Sequence, residues 1–226
     1  IEGTNICNAR CAFCAYPQME RPKVTMSMEV FRKAIDEYLA LGPAEIDLTP
    51  IVGDPFVDKF LFERLDDLAA RPEVTRFHFY TNAILAKPEQ FERLMSYGNR
   101  FWIFCSFGGF DRATYHRVMG VDKFDEAVAA IRGLIEAKIR TDSAIRLNVN
   151  LRVPLGSEGG EFWDYLRRRQ AEGVITIGGV TDYDNWGGKI TDDVLRRAGL
   201  IPKPPPVHTG ACRRLLTGPV ILADGR

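Results

Sequence analysis

Three cysteines near the start of the chain are the residues with the clearest chemical potential. Cys7, Cys11 and Cys14 follow the spacing C-x3-C-x2-C within one short loop. Thiolates are the usual ligands of iron–sulfur clusters, and a loop with this spacing can wrap several of them around one cube. Three ligands for a cluster of four irons leave one iron open to a group that is not protein. The spacing therefore predicts a cluster with one reactive iron.

Two other uses of these cysteines compete with that interpretation. A structural zinc site needs four ligands. The histidines that could complete one are all distant from the loop in sequence: His78, His116 and His208. A thioredoxin-like redox pair would use Cys11 and Cys14, but that motif normally opens a helix and leaves Cys7 without a role. The iron–sulfur hypothesis is favoured over both.

The bulk composition argues against several classes of partner. The 226 residues carry 30 basic and 30 acidic side chains, and the longest basic run is the triplet 167–169. This pattern predicts neither a nucleic-acid stripe nor a membrane-surface patch. No stretch reaches the roughly 20 apolar residues of a membrane span, and no secretory signal opens the chain. Clustered cysteines fit metal binding in a reducing compartment, so we expect a cytoplasmic protein.

The elements that must position the cysteine loop alternate between apolar runs and amphipathic stretches. This alternation is typical of strands and crossover helices in a parallel sheet. Six strands are expected, one ending near residue 6 and the others over 44–49, 75–81, 101–106, 145–153 and 174–177. Ser27 and Asp122 are expected N-caps, and Pro88 is expected in the first turn of a helix. The sequence predicts an α/β fold, a partial (β/α)6 TIM-like barrel.

The strand expected over 145–153 alternates strictly between apolar and polar side chains. Its apolar face should pack under the helices, so its polar face should look into a wet or ligand-filled lumen. That polar face consists of Arg146, Asn148, Asn150 and Arg152. An edge strand with one solvated face is the alternative. Cys105, inside another apolar strand, is expected to be a buried small hydrophobe.

The cysteine loop, CNARCAFCAYP, resembles the signature C-x3-C-x-aromatic-C of the radical S-adenosylmethionine (radical SAM) superfamily. The resemblance extends to about residue 188, and the family's usual core is the partial barrel expected above. It implies a 4Fe-4S cluster on Cys7, Cys11 and Cys14, with S-adenosylmethionine (SAM) chelating the open iron. It also implies that Phe13 and Tyr16 lie beside the adenine. Ordinary packing of these two rings is the alternative.

Two turns are similar to family elements that hold SAM. The first reads Val52-Gly53-Asp54-Pro55 where many relatives read Gly-Gly-Glu-Pro, so the first glycine is absent. The resemblance keeps a close backbone approach at Gly53 and lets Asp54 accept from the ammonium group of SAM. Ser106 is the candidate ribose contact, with a serine that only satisfies strand-end backbone as the alternative.

Two further sets of residues are expected to line the site. The pair Thr81-Asn82 resembles a recurring family element at the end of the third strand. The lumen-facing residues Asn148, Asn150 and Arg152 are expected to hold the carboxylate or sulfonium region of SAM, or the substrate.

The last residues resemble the opening of the SPASM extension, in which further cysteines hold auxiliary iron–sulfur clusters. Cys212 is the candidate ligand there, and a lone buried cysteine is the alternative. The prolines of 202–206 form a stiff connector. We therefore expect a radical SAM core over 1–188, followed over 189–226 by a linker and the start of a SPASM-like region. The chain is expected to be a piece of a longer protein.

The resemblance implies reductive cleavage of SAM to a 5'-deoxyadenosyl radical that abstracts hydrogen from a substrate. Oxidative modification of a peptide or protein is the leading expectation. Radical dehydrogenation or epimerisation of a sugar-like small molecule is one alternative, and a non-catalytic iron–sulfur electron-transfer module is another. The expected partner is an electron donor such as flavodoxin or ferredoxin. No catalytic side chain is named, because the first step needs no general acid or base.

Overall fold

Five parallel strands form one open sheet in the computed structural model, which describes residues 1–204 and 218–226. They are β1 (Ala44–Asp47), β2 (Val74–Thr81), β3 (Phe101–Phe107), β4 (Arg146–Leu151) and β5 (Thr176–Gly179). Each strand pairs with the next strand in the chain, so every connection is a crossover. The sheet does not close, which confirms the expected partial barrel.

Helices occupy the crossovers between the strands, with one further helix before β1 and one after β5. They are α1 (Met28–Leu39), α2 (Leu61–Ala69), α3 (Pro88–Met95), α4 (Arg112–Met119), α5 (Phe124–Arg140), α6 (Gly160–Ala171) and α7 (Asp192–Arg197). Ser27 caps α1 as predicted, because its Oγ accepts a hydrogen bond from the Val30 N–H at 3.2 Å. Pro88 lies in the first turn of α3, also as predicted. Among the described residues, no helix is long and apolar enough to cross a membrane.

The first expected strand is not part of the sheet, which corrects the count from six strands to five in the described residues. The backbone of this segment pairs with residues 24–26 instead of with β1. The Asn5 N–H donates to the Val24 carbonyl at 3.2 Å, and the Met26 N–H donates to the Gly3 carbonyl at 2.9 Å. Only an isolated antiparallel bridge, between Thr4 and Thr25, results.

Helix α4 was not predicted, and the expected cap Asp122 is wrong. The residue at the N-cap of α5 is Lys123, and its side chain makes no capping hydrogen bond. The capping carboxylate belongs to α4, where Asp111 Oδ1 accepts from the Thr114 N–H at 2.8 Å. Helix α4 was overlooked because it is short and has a weak apolar pattern.

The core lies on the helix-covered face of the sheet. Phe77, Ile103, Cys105 and Val149 are fully buried there, so the expectation for Cys105 is confirmed. In β4 the apolar side chains Leu147, Val149 and Leu151 are buried and the polar ones are less so. The alternation predicted for this strand is therefore confirmed.

The segment 218–226 packs against the start of the chain. The Glu2 N–H donates to the Ile221 carbonyl at 2.8 Å. The fully buried Glu2 carboxylate accepts from the Ala223 N–H at 3.0 Å and from both terminal nitrogens of Arg21 at 2.9 and 3.0 Å. These bonds satisfy a carboxylate that would otherwise be costly to bury.

Arg64 of α2 forms a buried ion pair and also bonds to the segment that leads into the cysteine loop. Arg64 is 1% exposed, and its Nε lies 2.7 Å from Asp58 Oδ2. Its Nη2 donates to the carbonyls of Gly3 and Met26. Burial raises the pKa of Asp58 above its ordinary value although Arg64 acts in the opposite direction. The pair fixes the base of the cysteine loop to the helical layer.

Replacing Arg64 by Met should lower the free energy of unfolding by about 3–5 kcal/mol, because Asp58 would be left buried without its partner. Urea unfolding followed by circular dichroism measures the change. The control is Lys33→Met, which removes an exposed pair with Glu37 at 3.8 Å. The control should cost less than about 1 kcal/mol. Equal losses in the two variants would contradict the anchoring role.

Candidate active site

A cavity of about 470 Å³ opens at the carboxyl ends of the strands. Parallel α/β sheets bind ligands at this end, because the loops that follow the strands meet there. Eight of the residues predicted for the cluster or SAM line the cavity: Cys7, Cys11, Phe13, Cys14, Gly53, Asp54, Ser106 and Arg152. The fold thus brings together residues from four separate parts of the sequence.

Two backbone hydrogen bonds attach the cysteine loop to the last turn of α4. The Arg10 N–H donates to the Met119 carbonyl at 3.1 Å, and the Ala12 N–H donates to the Val118 carbonyl at 2.9 Å. Gly120 then turns the chain away with φ of 69°, and a Cβ at this position would lie 2.2 Å from the Arg10 carbonyl oxygen. The contact requires glycine for both its conformation and its size.

The three thiols are free and half-buried, and all face the same cavity. Backbone N–H groups point at two of the sulfurs, with Ala9 N 3.5 Å from Cys7 Sγ and Tyr16 N 3.4 Å from Cys14 Sγ. Asn82 Nδ2 lies 3.9 Å from Cys7 Sγ. Such N–H···S contacts stabilise thiolates and tune the potential of a bound cluster.

Burial dominates the protonation of these sulfurs. It raises the pKa of Cys7 to about 12, with the charge of Asp54 acting in the same direction. It also raises the pKa of Cys11 and of Cys14, although a hydrogen bond from Tyr16 and the charge of Arg152 oppose the effect at Cys14. Without metal the loop therefore presents neutral thiols, and metal binding must displace their protons.

The lining of the cavity suits an iron–sulfur cluster, because its three cysteine thiols are the usual ligands of such clusters. Within the described ranges, no three Cys, His, Asp or Glu side chains are grouped closely enough to hold one metal ion. Arg152 Nε and the Tyr183 hydroxyl are buried at the same cavity and have no hydrogen-bond partner in the part of the chain that the structure describes, so the site offers polar groups to a ligand.

The Asp54 carboxylate is hydrogen-bonded within the protein, and its expected contact with SAM stays a prediction. The side chain is 1% exposed, and its Oδ2 accepts from the Thr81 hydroxyl and the Asn82 N–H, both at 2.9 Å. Its Oδ1 accepts from the Phe56 N–H at 3.0 Å. The Oδ2 atom thus joins the turn after β1 to the end of β2, and Oδ1 holds the turn itself.

Gly53 approaches the protein backbone closely. Its φ is 103°, and a Cβ would lie 2.2 Å from the Thr4 carbonyl oxygen. The Asp54 N–H donates to the Ile6 carbonyl at 2.9 Å, directly before Cys7. The contact that demands glycine is therefore with the segment carrying the cluster loop, although Gly53 also lines the cavity.

Asn82 links the end of β2 to the cysteine loop. Its Nδ2 donates to Asn8 Oδ1 at 2.9 Å, and its Oδ1 accepts from the Ile84 N–H at 3.0 Å. Thr81, Asn82 and Ser106 line the cavity, as expected from the sequence.

Three residues predicted for SAM do not line this cavity: Tyr16, Asn148 and Asn150. Tyr16 is buried, and the Lys23 ammonium group lies 5.3 Å from its ring centre. Asn148 donates to the Thr176 hydroxyl at 2.8 Å. The two asparagines precede Arg152 along β4 and therefore lie deeper in the lumen, away from the carboxyl end. Cys212 lies outside the described residues.

Sequence reasoning missed the residues after β5 that line the cavity. They belong to residues 180–190, here called the strap, and include Val180, Asp182, Tyr183, Asp184 and Trp186. The only signal in the sequence was two aromatic residues in a polar, glycine-rich loop that directly follows the last strand. Asp47 and Tyr80, at the ends of β1 and β2, and Lys203 were also missed.

An open parallel barrel with three cysteines at its mouth defines the class of iron–sulfur enzymes that use SAM. Residues 1–152 match the model of the Radical SAM superfamily, and the chain belongs to that superfamily. The protein is accordingly an enzyme whose cofactors are a 4Fe-4S cluster and SAM. This membership outweighs the non-catalytic alternative.

Individual relatives are distant. GTP 3',8-cyclase of Pasteurella multocida (strain Pm70) is 22% identical over 155 residues, which cover 65% of this chain and 44% of that protein. Streptococcus suis SuiB bound to precursor peptide SuiA matches with a TM-score of 0.56 at 16% identity, covering 87% of this chain and 43% of SuiB. The FeFe-hydrogenase maturase HydG from Carboxydothermus hydrogenoformans matches with a TM-score of 0.55 at 18% identity, covering 80% of this chain and 44% of HydG. The chain spans less than half of each of these proteins.

Gly53→Ala should destabilise the protein more than Gly42→Ala, although both glycines have positive φ. Gly42 has open space around it, so its variant bears only a backbone cost of about 1–3 kcal/mol. The variant at Gly53 would also displace the Thr4 carbonyl and the chain leading to Cys7. Urea unfolding and iron content after reconstitution measure both effects. A Gly53→Ala protein that matches the control in both would contradict this contact.

Proposed function

We propose that Cys7, Cys11 and Cys14 hold the 4Fe-4S cluster and that the chain cleaves SAM reductively. The carrying observation is that these three free thiols line one cavity at the carboxyl end of the sheet. The loop supplies no fourth cysteine, so one iron is left for SAM.

When bound, the cluster, reduced by an electron donor, would supply the one electron that splits the sulfonium of SAM into methionine and a 5'-deoxyadenosyl radical, the species that abstracts hydrogen from substrate. The side chains of the protein bind and orient SAM and the substrate. Arg152 faces the cavity with an unpartnered Nε, which suits the carboxylate of SAM or of a substrate. Phe13, Tyr183 and Trp186 give the cavity an aromatic wall that limits the entry of water.

Replacing any one of Cys7, Cys11 or Cys14 by Ala should abolish formation of 5'-deoxyadenosine from SAM, because the cluster loses one of only three protein ligands. The measurement is chromatography after anaerobic reconstitution and dithionite reduction. Cys105→Ala is the matched control, since this buried thiol lies outside the cavity lining, and it should retain cleavage. Full cleavage by a loop variant would refute the ligand assignment.

For the substrate, we favour oxidative modification of a peptide or protein side chain. Support comes from the similar fold of SuiB, a protein solved with a bound precursor peptide. It also comes from the resemblance of the chain's last residues to the SPASM extension, in which auxiliary clusters could accept the second electron. On this proposal, residues 189–226 lead from the core over 1–188 into that extension, Cys212 ligates an auxiliary cluster, and flavodoxin or ferredoxin reduces the enzyme.

A small-molecule substrate is the second candidate. It is favoured by the relationship to GTP 3',8-cyclase, whose name identifies a nucleotide substrate. The cavity volume of about 470 Å³ is also within the range usual for small-molecule sites.

A panel of synthetic peptides and a panel of nucleotides and sugars should separate the two candidates. The peptide proposal predicts that a peptide raises 5'-deoxyadenosine formation and becomes about 2 Da lighter by mass spectrometry, because oxidation removes two hydrogens. The Cys11→Ala protein is the control for reactions that do not depend on the cluster. Stimulation by nucleotides or sugars alone would refute the peptide proposal.

A further inference from the structure

The carbonyl of Phe13 is a fixed point in the turn between Cys11 and Cys14. It accepts a hydrogen bond from Trp186 Nε1 at 2.9 Å, across 173 positions of sequence. In the part of the chain that the structure describes, it accepts no other hydrogen bond. The turn itself closes through the Cys14 N–H, which donates to the Cys11 carbonyl at 3.1 Å. The turn is therefore stabilised by one hydrogen bond within it, from Cys14 to Cys11, and by one hydrogen bond from Trp186 in the strap.

The strap presents the indole of Trp186 in one defined orientation. The Trp186 N–H donates to Asp184 Oδ1 at 2.6 Å, and the residue has a positive φ of 52°. Beyond it, the Gly188 N–H and the Ile190 N–H both donate to the Asn185 carbonyl, at 3.1 and 3.0 Å. Ile190 is 2% exposed and anchors the strap in the core.

The strap also contacts the side chain of Phe13. The ring centres of Phe13 and Tyr183 lie 5.5 Å apart, and the Arg152 guanidinium lies 5.6 Å from the centre of the Phe13 ring. Tyr183 is itself fixed, because its N–H donates to the Ile201 carbonyl at 2.9 Å and its carbonyl accepts from the Lys203 N–H at 2.8 Å. The strap therefore holds Phe13 by its backbone and by its ring.

We propose that Trp186 is a positioning residue for the cysteine loop: its indole N–H fixes the peptide between Phe13 and Cys14 and so directs the Cys14 sulfur toward the cluster. This proposal rests on the assignment of the three cysteines as cluster ligands. Without the bond, the turn fluctuates more, Cys14 releases iron more readily and water reaches the cluster. Outer contacts of this kind commonly tune metal affinity and potential.

The test replaces Trp186 by Phe, which keeps an aromatic ring and removes the donor. In the reconstituted full chain, release of iron to a chelator should become about fivefold to tenfold faster, the size expected for one hydrogen bond. The reduction midpoint, followed by electron paramagnetic resonance, should shift to higher potential because water stabilises the more highly charged reduced cluster. The control is Trp163→Phe, since Trp163 packs on Phe110 instead of at the cavity. The control should leave both values unchanged.

A Trp186→Phe protein with wild-type iron release or wild-type potential would overturn the proposal. If this variant does not fold, as judged by circular dichroism, benzothienylalanine at position 186 keeps the shape of tryptophan without the N–H, and the same criteria apply. Failure of the ligand assignment looks different. In that case the Cys11→Ala protein retains its cluster, whereas failure of the Trp186 proposal leaves the requirement for Cys11 intact.

Discussion

Two backbone hydrogen bonds from the cysteine loop to the last turn of α4 are the interaction on which the site depends. The loop has no strand or long helix of its own to define its course. A helix end leaves several carbonyls without intrahelical partners, and those of Val118 and Met119 accept from the loop. One contact thus satisfies the helix end and positions three thiols. Gly120 permits it, because any side chain there would collide with the Arg10 carbonyl.

The other contacts that position the site are hydrogen bonds between polar groups of the protein itself. The Asp54 carboxylate accepts hydrogen bonds from Phe56, Thr81 and Asn82. The Asn82 side chain donates to that of Asn8. Burial of the three cysteine sulfurs raises the pKa of each thiol and so disfavours the thiolate forms. The cluster then supplies the positive charge that stabilises them, which couples cluster assembly to proton release. Among the described residues, Arg152 and Lys203 are the cations that line the cavity and could face an anionic group of a ligand.

Sequence reasoning recovered the features that depend on local pattern. The alternation in β4, the cap at Ser27 and the spacing of the three cysteines each express a short-range rule, and the structure follows them. It failed where tertiary contacts decide. Residues 3–6 were predicted to end a strand of the sheet but pair with residues 24–26. The strap was missed because nothing local to Trp186 indicates that its partner is the Phe13 carbonyl.

The buried Glu2 carboxylate bears on the order in which the molecule assembles. One of its partners, the Ala223 N–H, lies 221 positions along the chain. Contacts of such separation form late in folding, because the entropy cost of closing a long loop precedes the stabilisation that the contact provides. A nascent chain therefore carries its cysteines out of the ribosome long before the segment that completes the packing beneath them. The Glu2 carboxylate is thus fully paired only after residue 223 has been synthesised and has folded back onto the start of the chain.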